Sequence, residues 1–412
     1  MNTKKKHTFK VIQFILTGFF CLMFIEAGGQ TPRMPTSLEL SKNEPIKYMG
    51  GVAPDRNYSD GRLRYAIGVH TYQPLRANRT DPPEGSMVGW TYNHQPCLSS
   101  SKVMDRCTEN LWKISDPVLL PGPEGSVDEV SVKDPSIVYF EGMWHLFFTA
   151  RSKTEYTTSY VSAKELAGLQ YAQRDELEVI RGESRYGCAP QVFYFEPRDQ
   201  WYMIFQNRDE NYQPAYSTTK TIAKPDPWSK PLPLLFKDTE GKWIDFWIIC
   251  DDDTAYLFYT QSHNRTVVVR TTPLEEFPNG WGEPKKVLDN IFEAVHIYKV
   301  KGKKEYHMIY ELNDNEIRSF GFATAQDLKG PWERVTDRYA TGDQLVYVGE
   351  NSPWTEMVSH GEVIRSGYNQ KLEYEPDDCN WIIQGVLRDE ITDPYPNIPW
   401  KLGIISLSKP DH

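Results

Sequence analysis

The sequence predicts an all-β protein: a five-bladed β-propeller preceded by an N-terminal extension. Three observations carry that prediction. Strand–turn–strand units recur from about Leu111, with starts at Asp134, Ala189, Asp245, Glu293 and His360, which lie 55, 56, 48 and 67 residues apart. Repeats of this length with several strands each are the pattern of propeller blades. Their strands are dense apolar runs rather than clean alternations, as expected when both faces of a sheet are buried against neighbours. A long amphipathic helical pattern is missing, and Lys164 to Leu169 supports at most a short turn.

The chain divides into residues 1–29, 30–110 and 111–412. Residues 1–29 read as a secretory signal: Lys4, Lys5, Lys6 and Lys10, then the apolar stretch Val11 to Ile25, then Ala27, Gly28 and Gly29 before Gln30. The apolar stretch is short for a bilayer span. Phe19 and Phe20 precede Cys21 where a lipid-attachment site wants small residues. The expected address is secreted or periplasmic, with no membrane contact after cleavage. Residues 30–60 are polar and rich in Pro and Gly, a loose lead-in. Strand-like runs at Arg64–Tyr72 and Met87–Tyr92 flank a charged loop, either an added β-element or a degenerate repeat.

Regularity begins at Leu111. Trp112 to Ile114 and Pro117 to Leu120 lead into the first hairpin, Ser131 to Phe140, a turn at Glu141-Gly142, and Met143 to Phe148. The second unit starts at Cys188, the third at Trp243, the fourth at Phe292, and the fifth at Ser359 with its partner from Asn380. Trp228, Trp281 and Trp332 close three units in similar fashion.

Composition limits the partners. The chain is 39% hydrophobic and 25% charged, in the globular range. Aromatics reach 13%, which suits a β core and also suits stacking on sugar rings. Formal charge is -10 and falls to -13 without residues 1–29, which hold four Lys and one Glu. This acidic balance, with no basic run left, argues against nucleic acid. Cys97, Cys107, Cys188, Cys250 and Cys379 are an odd set without a CxxC pair, so neither a disulfide scaffold nor a zinc knuckle fits. Cys97 and Cys107 are near enough in sequence to bridge. The other three fall in strand-like runs as small buried residues.

Three acids open units at matching places. Asp134 precedes Pro135-Ser136. Asp245 stands between Ile244 and Phe246, and Glu293 between Phe292 and Ala294. An acid inside an apolar run is costly unless paired or functional. Inner strands of a propeller surround one axis, so acids at their starts converge. Two carboxyl groups roughly 6.5–9.5 Å apart, one ionised to activate water and one protonated to serve the leaving oxygen, form an inverting glycosidase. A third carboxylate nearby raises the acid's pKa. Asp251, Asp252 and Asp253 sit where a hairpin turn belongs and read as solvated.

The ordered motifs Val132-Lys133-Asp134-Pro135-Ser136, Ala189-Pro190-Gln191-Val192-Phe193, Ile244-Asp245, Ile291-Phe292-Glu293-Ala294-Val295, Arg318-Ser319-Phe320, Ser359-His360-Gly361-Glu362 and Pro399-Trp400 resemble glycoside hydrolase family 62, five-bladed arabinofuranosidases related to family 43. The resemblance covers roughly residues 110–408. It implies Asp134 as general base, Glu293 as general acid and Asp245 as the residue that tunes and orients the acid. The substrate-binding set that goes with it is Lys133, Trp247, His360 and Gln384, with His360 also holding a calcium ion in the central channel. The implied partner is plant cell-wall polysaccharide, arabinoxylan or arabinan, attacked by a monomer. Departures are Phe246 where Gln is usual, Gln206-Asn207-Arg208 where Gln-Trp-Gly is common, and Trp400 where Tyr is common. They bear on polymer preference. A family 43-like β-xylosidase or arabinanase would share the three acids, and a non-catalytic sugar-binding propeller is the remaining alternative.

Overall fold

Each of five inner strands begins with the same irregularity, and it positions the site. One extra residue is inserted where the strand pairs with its neighbour, between Lys133 and Ser136, Cys188 and Gln191, Ile244 and Trp247, Glu293 and His296, and Ser359 and Gly361. In four strands the bulge holds a non-glycine residue in the left-handed region: Asp134 (φ 47), Ala189 (φ 48), Asp245 (φ 55) and Ala294 (φ 49). Such bulges re-aim side chains at barrel and propeller rims.

The computed structural model describes residues 110–182, 186–224, 227–237, 242–262, 265–392 and 394–408. They form five sheets of mainly antiparallel strands, the fourth and fifth each with one parallel pairing. The first contains Ser131–Phe140, Met143–Arg151, Tyr156–Ala163 and Asp175–Glu176. Its first turn is the predicted Glu141-Gly142 pair, both residues at positive φ, the geometry a two-residue hairpin loop prefers. The second is Cys188–Phe195, Gln200–Gln206, Ala215–Thr219 and Leu232–Pro233, and the third Lys242–Cys250, Thr254–Ser262, Thr266–Pro273 and Lys285–Asp289. The fourth is Glu293–Val300, Tyr306–Asp314, Ile317–Ala325 and Glu333–Ala340, with Glu373–Tyr374 added parallel to its inner edge. Each inner strand touches the next, and the fifth, Ser359–Val363, touches the first. The all-β five-bladed propeller of the sequence reading is therefore the observed architecture.

Trp112–Ile114 does not lead into the first blade, as its sequence position suggested. It pairs antiparallel with Lys401–Leu407 in the fifth sheet, whose order is completed by Asn380–Gly385 and Leu345–Tyr347. Joining the two ends of the described chain in one blade closes the ring and removes an open edge. Trp112 anchors this closure: it is fully buried, packs 5.3 Å from the Trp381 ring, and donates its indole N–H to the Tyr339 carbonyl at 2.9 Å.

The blades cohere by burying both faces. Phe147, Phe193, Tyr259, Tyr298 and Trp381 are all almost without solvent contact. Side chains of this size each contribute about 1.5–3 kcal/mol on burial. Cys188, Cys250 and Cys379 are buried free thiols in this packing, as expected. Asp251 caps the turn before Thr254 while Asp252 and Asp253 are exposed. Cys97, Cys107 and everything read for residues 1–109 lie outside the described residues.

Candidate active site

The bulges gather the acids. Asp134 and Asp245 occupy equivalent bulge positions in the first and third blades, both nearly buried. Between them stands His360, the extra residue of the fifth bulge, with Nδ1 at 3.5 Å from Asp134 Oδ1 and 3.9 Å from Asp245 Oδ1. A Cβ on Gly361 would collide with the Ile382 carbonyl, so only glycine lets the strand close beside His360.

Glu293 corrects the expectation of three matching positions. The residue equivalent to Asp134 and Asp245 is Ala294, and Glu293 precedes it, in the pairing position that Lys133 holds in the first blade. The bulge is what separates the two positions, and it was invisible in spacing. As a result Glu293 keeps 23% of its side chain exposed at the mouth, whereas the two aspartates keep 8% and 7% below it.

Backbone amides at the bulges are held by side chains from the blade before. Asp134 N–H donates to Gln384 Oε1 at 2.8 Å, Ala189 N–H to Thr149 Oγ1 at 2.8 Å, Ala294 N–H to Asp245 Oδ2 at 2.9 Å, and His360 N–H to Glu311 Oε2 at 3.0 Å. Thr149, Glu311 and Gln384 face Lys133, Glu293 and Ser359 across their hairpins and are thus equivalents of one another. A buried amide left unpaired costs about 1–3 kcal/mol, so these latches fix where the acids stand.

Electrostatics separates the groups. Burial, then the Asp134 charge, pushes Asp245 up to about 7. Burial, then Asp245 and Glu311, pushes Glu293 up to about 8 against the pull of Arg318 and Lys133. Lys133 Nζ lies 3.6 Å from Asp134 Oδ2 and donates to the Tyr395 hydroxyl at 3.2 Å. Burial disfavours its charge, but Asp134, Tyr395 and Tyr156 outweigh that and hold it well above the usual lysine range. The arrangement offers Asp134 beside a cation, a protonated carboxyl at the mouth, and a third carboxyl, Asp245, as deeply buried as Asp134.

The remaining expected residues fall as follows. Gln384 is buried and acts on the Asp134 backbone. Trp247 is only 2% exposed, stacked 4.1 Å from His296, with its indole N–H on the Ile297 carbonyl at 2.8 Å. It is a wall residue packed by the neighbouring blade rather than a free stacking face. Phe246 and Trp400 are buried as well, so these departures from the family pattern sit in packing and not on an open groove. Arg208 differs: its guanidinium lies 4.1 Å over the Tyr186 ring, and with Asn207, Gln213, Trp243 and Ile244 it lines a cavity of about 410 Å³ next to Asp245 in sequence.

His360 was expected to hold calcium. Calcium takes six to eight oxygen ligands. His360 offers a ring nitrogen directed at Asp134 and Asp245, and among the described residues no three His, Cys, Asp or Glu side chains gather as a metal-holding group. A calcium ion at His360 would therefore draw most of its oxygen ligands from water.

Sequence reasoning missed three contributors. Arg318 Nη1 contacts Glu293 Oε1 at 3.2 Å and Glu311 Oε1 at 3.0 Å. Tyr395 lies between Lys133 and Arg318, 4.9 and 5.8 Å from its ring. Glu311 carried a readable signal, an acid between Tyr310 and Leu312, the same kind of buried charge that marked Asp245.

Residues 124–406 match the family profile described as Glycosyl hydrolase family 62. The chain belongs to glycosyl hydrolase family 62. It is 33% identical over 313 residues to alpha-L-arabinofuranosidase C of Cellvibrio japonicus (strain Ueda107), covering 72% of this chain and 47% of that protein, so it spans about half the length of the curated relative it matches. Among solved structures, the catalytic domain of the family 62 α-L-arabinofuranosidase of Coprinopsis cinerea superposes with a TM-score of 0.67 at 30% identity, covering 73% of this chain and 97% of that one. The α-L-arabinofuranosidase of Podospora anserina in complex with cellotriose gives 0.66 at 28% identity, covering 73% and 98%. A family 62 hydrolase in complex with xylotriose gives 0.65 at 29%, covering 72% and 97%. Residues 44–102 match a second profile, described as an N-terminal beta propeller.

Proposed function

We propose that this protein is a glycoside hydrolase that releases α-L-arabinofuranosyl groups from arabinoxylan-type plant polysaccharide by a single inverting displacement. The observation that carries the reading is two carboxyl groups held in opposite surroundings: Asp134, buried beside Lys133, and Glu293 at the mouth, held up to about 8. Family membership and the names of the relatives support the arabinose specificity. The xylotriose bound to one relative supports a xylan backbone.

In this reading Asp134 takes a proton from water as it attacks the anomeric carbon. Glu293 gives its proton to the departing oxygen, which leaves as a hydroxyl on the backbone sugar. Burial, and then the like charge of Asp245, keep the acid protonated, and Asp245 also holds the Ala294 amide that follows it. Lys133 and Tyr395 bind the arabinose hydroxyls. The cavity at Asn207 and Arg208 takes part of the polymer beside the arabinose. A polymer substrate also accords with reading residues 1–29 as an export signal.

Products from wheat arabinoxylan, separated by chromatography and followed by proton NMR, test this. Arabinose should be the sugar released, and the β-anomer should form first. Release of xylose instead, or first formation of the α-anomer, would overturn the substrate or the mechanism respectively.

A further inference from the structure

Glu311 is a fully buried carboxylate that the displacement does not use. Its equivalents in the first and fifth blades, Thr149 and Gln384, hold the bulge amides at 2.8 Å with neutral oxygens. Latching the His360 amide therefore requires an acceptor but no charge. The charge at Glu311 is spent elsewhere. Its Oε1 takes the Arg318 guanidinium at 3.0 Å and the Ser359 hydroxyl at 2.8 Å. The same Arg318 nitrogen reaches Glu293 Oε1 at 3.2 Å, and its guanidinium rests 4.2 Å over the Phe292 ring.

We propose that Glu311 is a positioning residue for the reaction: by drawing Arg318 toward itself, it stops that cation from committing to Glu293, so that Glu293 can carry the proton it donates. The inference rests on the reading of Glu293 as the acid. An arginine paired with one carboxylate alone favours the ionised form strongly. Shared between two, its charge is compensated by the buried one, and Glu311 adds a like charge facing Glu293. The contacts also run on without a break: Gln384 Nε2 donates to Ser359 Oγ at 3.0 Å, and its Oε1 holds the Asp134 amide. One line of polar contacts thus joins acid and base through Arg318, Glu311, Ser359 and Gln384. The other charged or titratable groups facing Glu293 are Asp245 from the third blade, Lys133 from the first, and Tyr395 from the segment before the last strand.

Glu311→Gln keeps an acceptor for the latch and removes the charge. In kcat/KM against pH on arabinoxylan, the alkaline limb should move to lower pH by on the order of one unit, with little change in KM at acidic pH. Adding Arg318→Met to that variant should move the limb back up, because the cation that captures Glu293 is gone. A folded Glu311→Gln protein with an unmoved limb, or equal loss at every pH, or no return in the double variant, would overturn the proposal. Where Glu311→Gln does not fold, Arg318→Met alone decides: its limb should move up, and one that stays put overturns the proposal. Glu293→Gln assayed alongside keeps the two readings apart. Full activity of that variant discards Glu293 as the acid, whereas its inactivity with an unmoved Glu311→Gln limb discards only the role given to Glu311.

Discussion

Gln384 holds the backbone N–H of Asp134 at 2.8 Å while Asp134 sits at φ 47, a conformation that non-glycine residues rarely adopt. The fifth blade thus fixes the geometry of the first blade's acid. Left-handed backbone in a non-glycine residue costs of order 1–3 kcal/mol and persists only where surroundings impose it. Gln384→Ala removes the latch. It should lower kcat on arabinoxylan roughly 10-fold to 100-fold through a misplaced base, with a smaller change in KM. Steady-state kinetics check this, and an unchanged kcat would show that Asp134 holds its place without Gln384.

Asp245 and Glu293 make the fold sensitive to pH in a stated direction. Burial raises both above their unfolded values, to about 7 and about 8. The folded protein then retains protons that the unfolded chain releases. This contribution to stability is full below the unfolded carboxyl range, and it is lost as pH rises toward 7 and 8. Asp245→Asn cannot lose it at that position. Its melting temperature should exceed that of the wild type by a margin that grows from pH 4.5 to pH 8, although activity is largely gone. Calorimetry across that range gives the answer, and a margin that shrinks with rising pH would refute the assignment.

Beneath the acids, Arg365 pairs with Glu362 at 2.8 Å and donates to the carbonyls of Ile137 and Val192 at 3.2 and 2.9 Å. Three blades meet on one buried guanidinium. Glu362→Leu leaves that cation without its partner and should cost about 3–5 kcal/mol in urea unfolding. The double variant with Arg365→Met should recover much of that loss. Equal stability of the single variant and the wild type would show the pair to be dispensable.

Ring closure depends on Trp112. Trp112→Ala removes a fully buried ring and its bond to Tyr339, and should cost about 3–5 kcal/mol. The loss should appear as a lower denaturation midpoint, with the acids' pH profile unchanged in the protein that remains folded. A midpoint within error of the wild type would mean that Trp112–Ile114 is not what closes the ring.

These relationships explain what the sequence could and could not disclose. Asp245 was legible because a charge inside an apolar strand start needs a reason, Asp134 because it opens its unit at the matching place, and the blades because doubly buried strands leave dense apolar runs. The register of Glu293 was not legible, since a one-residue bulge changes which side chain faces the axis without changing the spacing. Trp247 could not be told from a sugar platform, because its covering partner, His296, comes from the next blade. Arg318 stood in a motif of the resemblance without a role, which only its contacts to Glu293 and Glu311 give it, and Tyr395 reaches the site across 262 residues to Lys133 with no local pattern to mark it. The place of Trp112 in the last blade was hidden for the same reason.

The central claim is that Glu293 supplies the leaving-group proton. Glu293→Gln, compared with wild type on wheat arabinoxylan and on a dinitrophenyl α-L-arabinofuranoside, tests it most directly. General acid catalysis is worth about 10²–10⁴, so turnover of the polymer should fall by that much, while the dinitrophenyl substrate, whose leaving group needs no proton, should lose far less. Cleavage of arabinoxylan at the wild-type rate, or an equal fall on both substrates, would contradict the account.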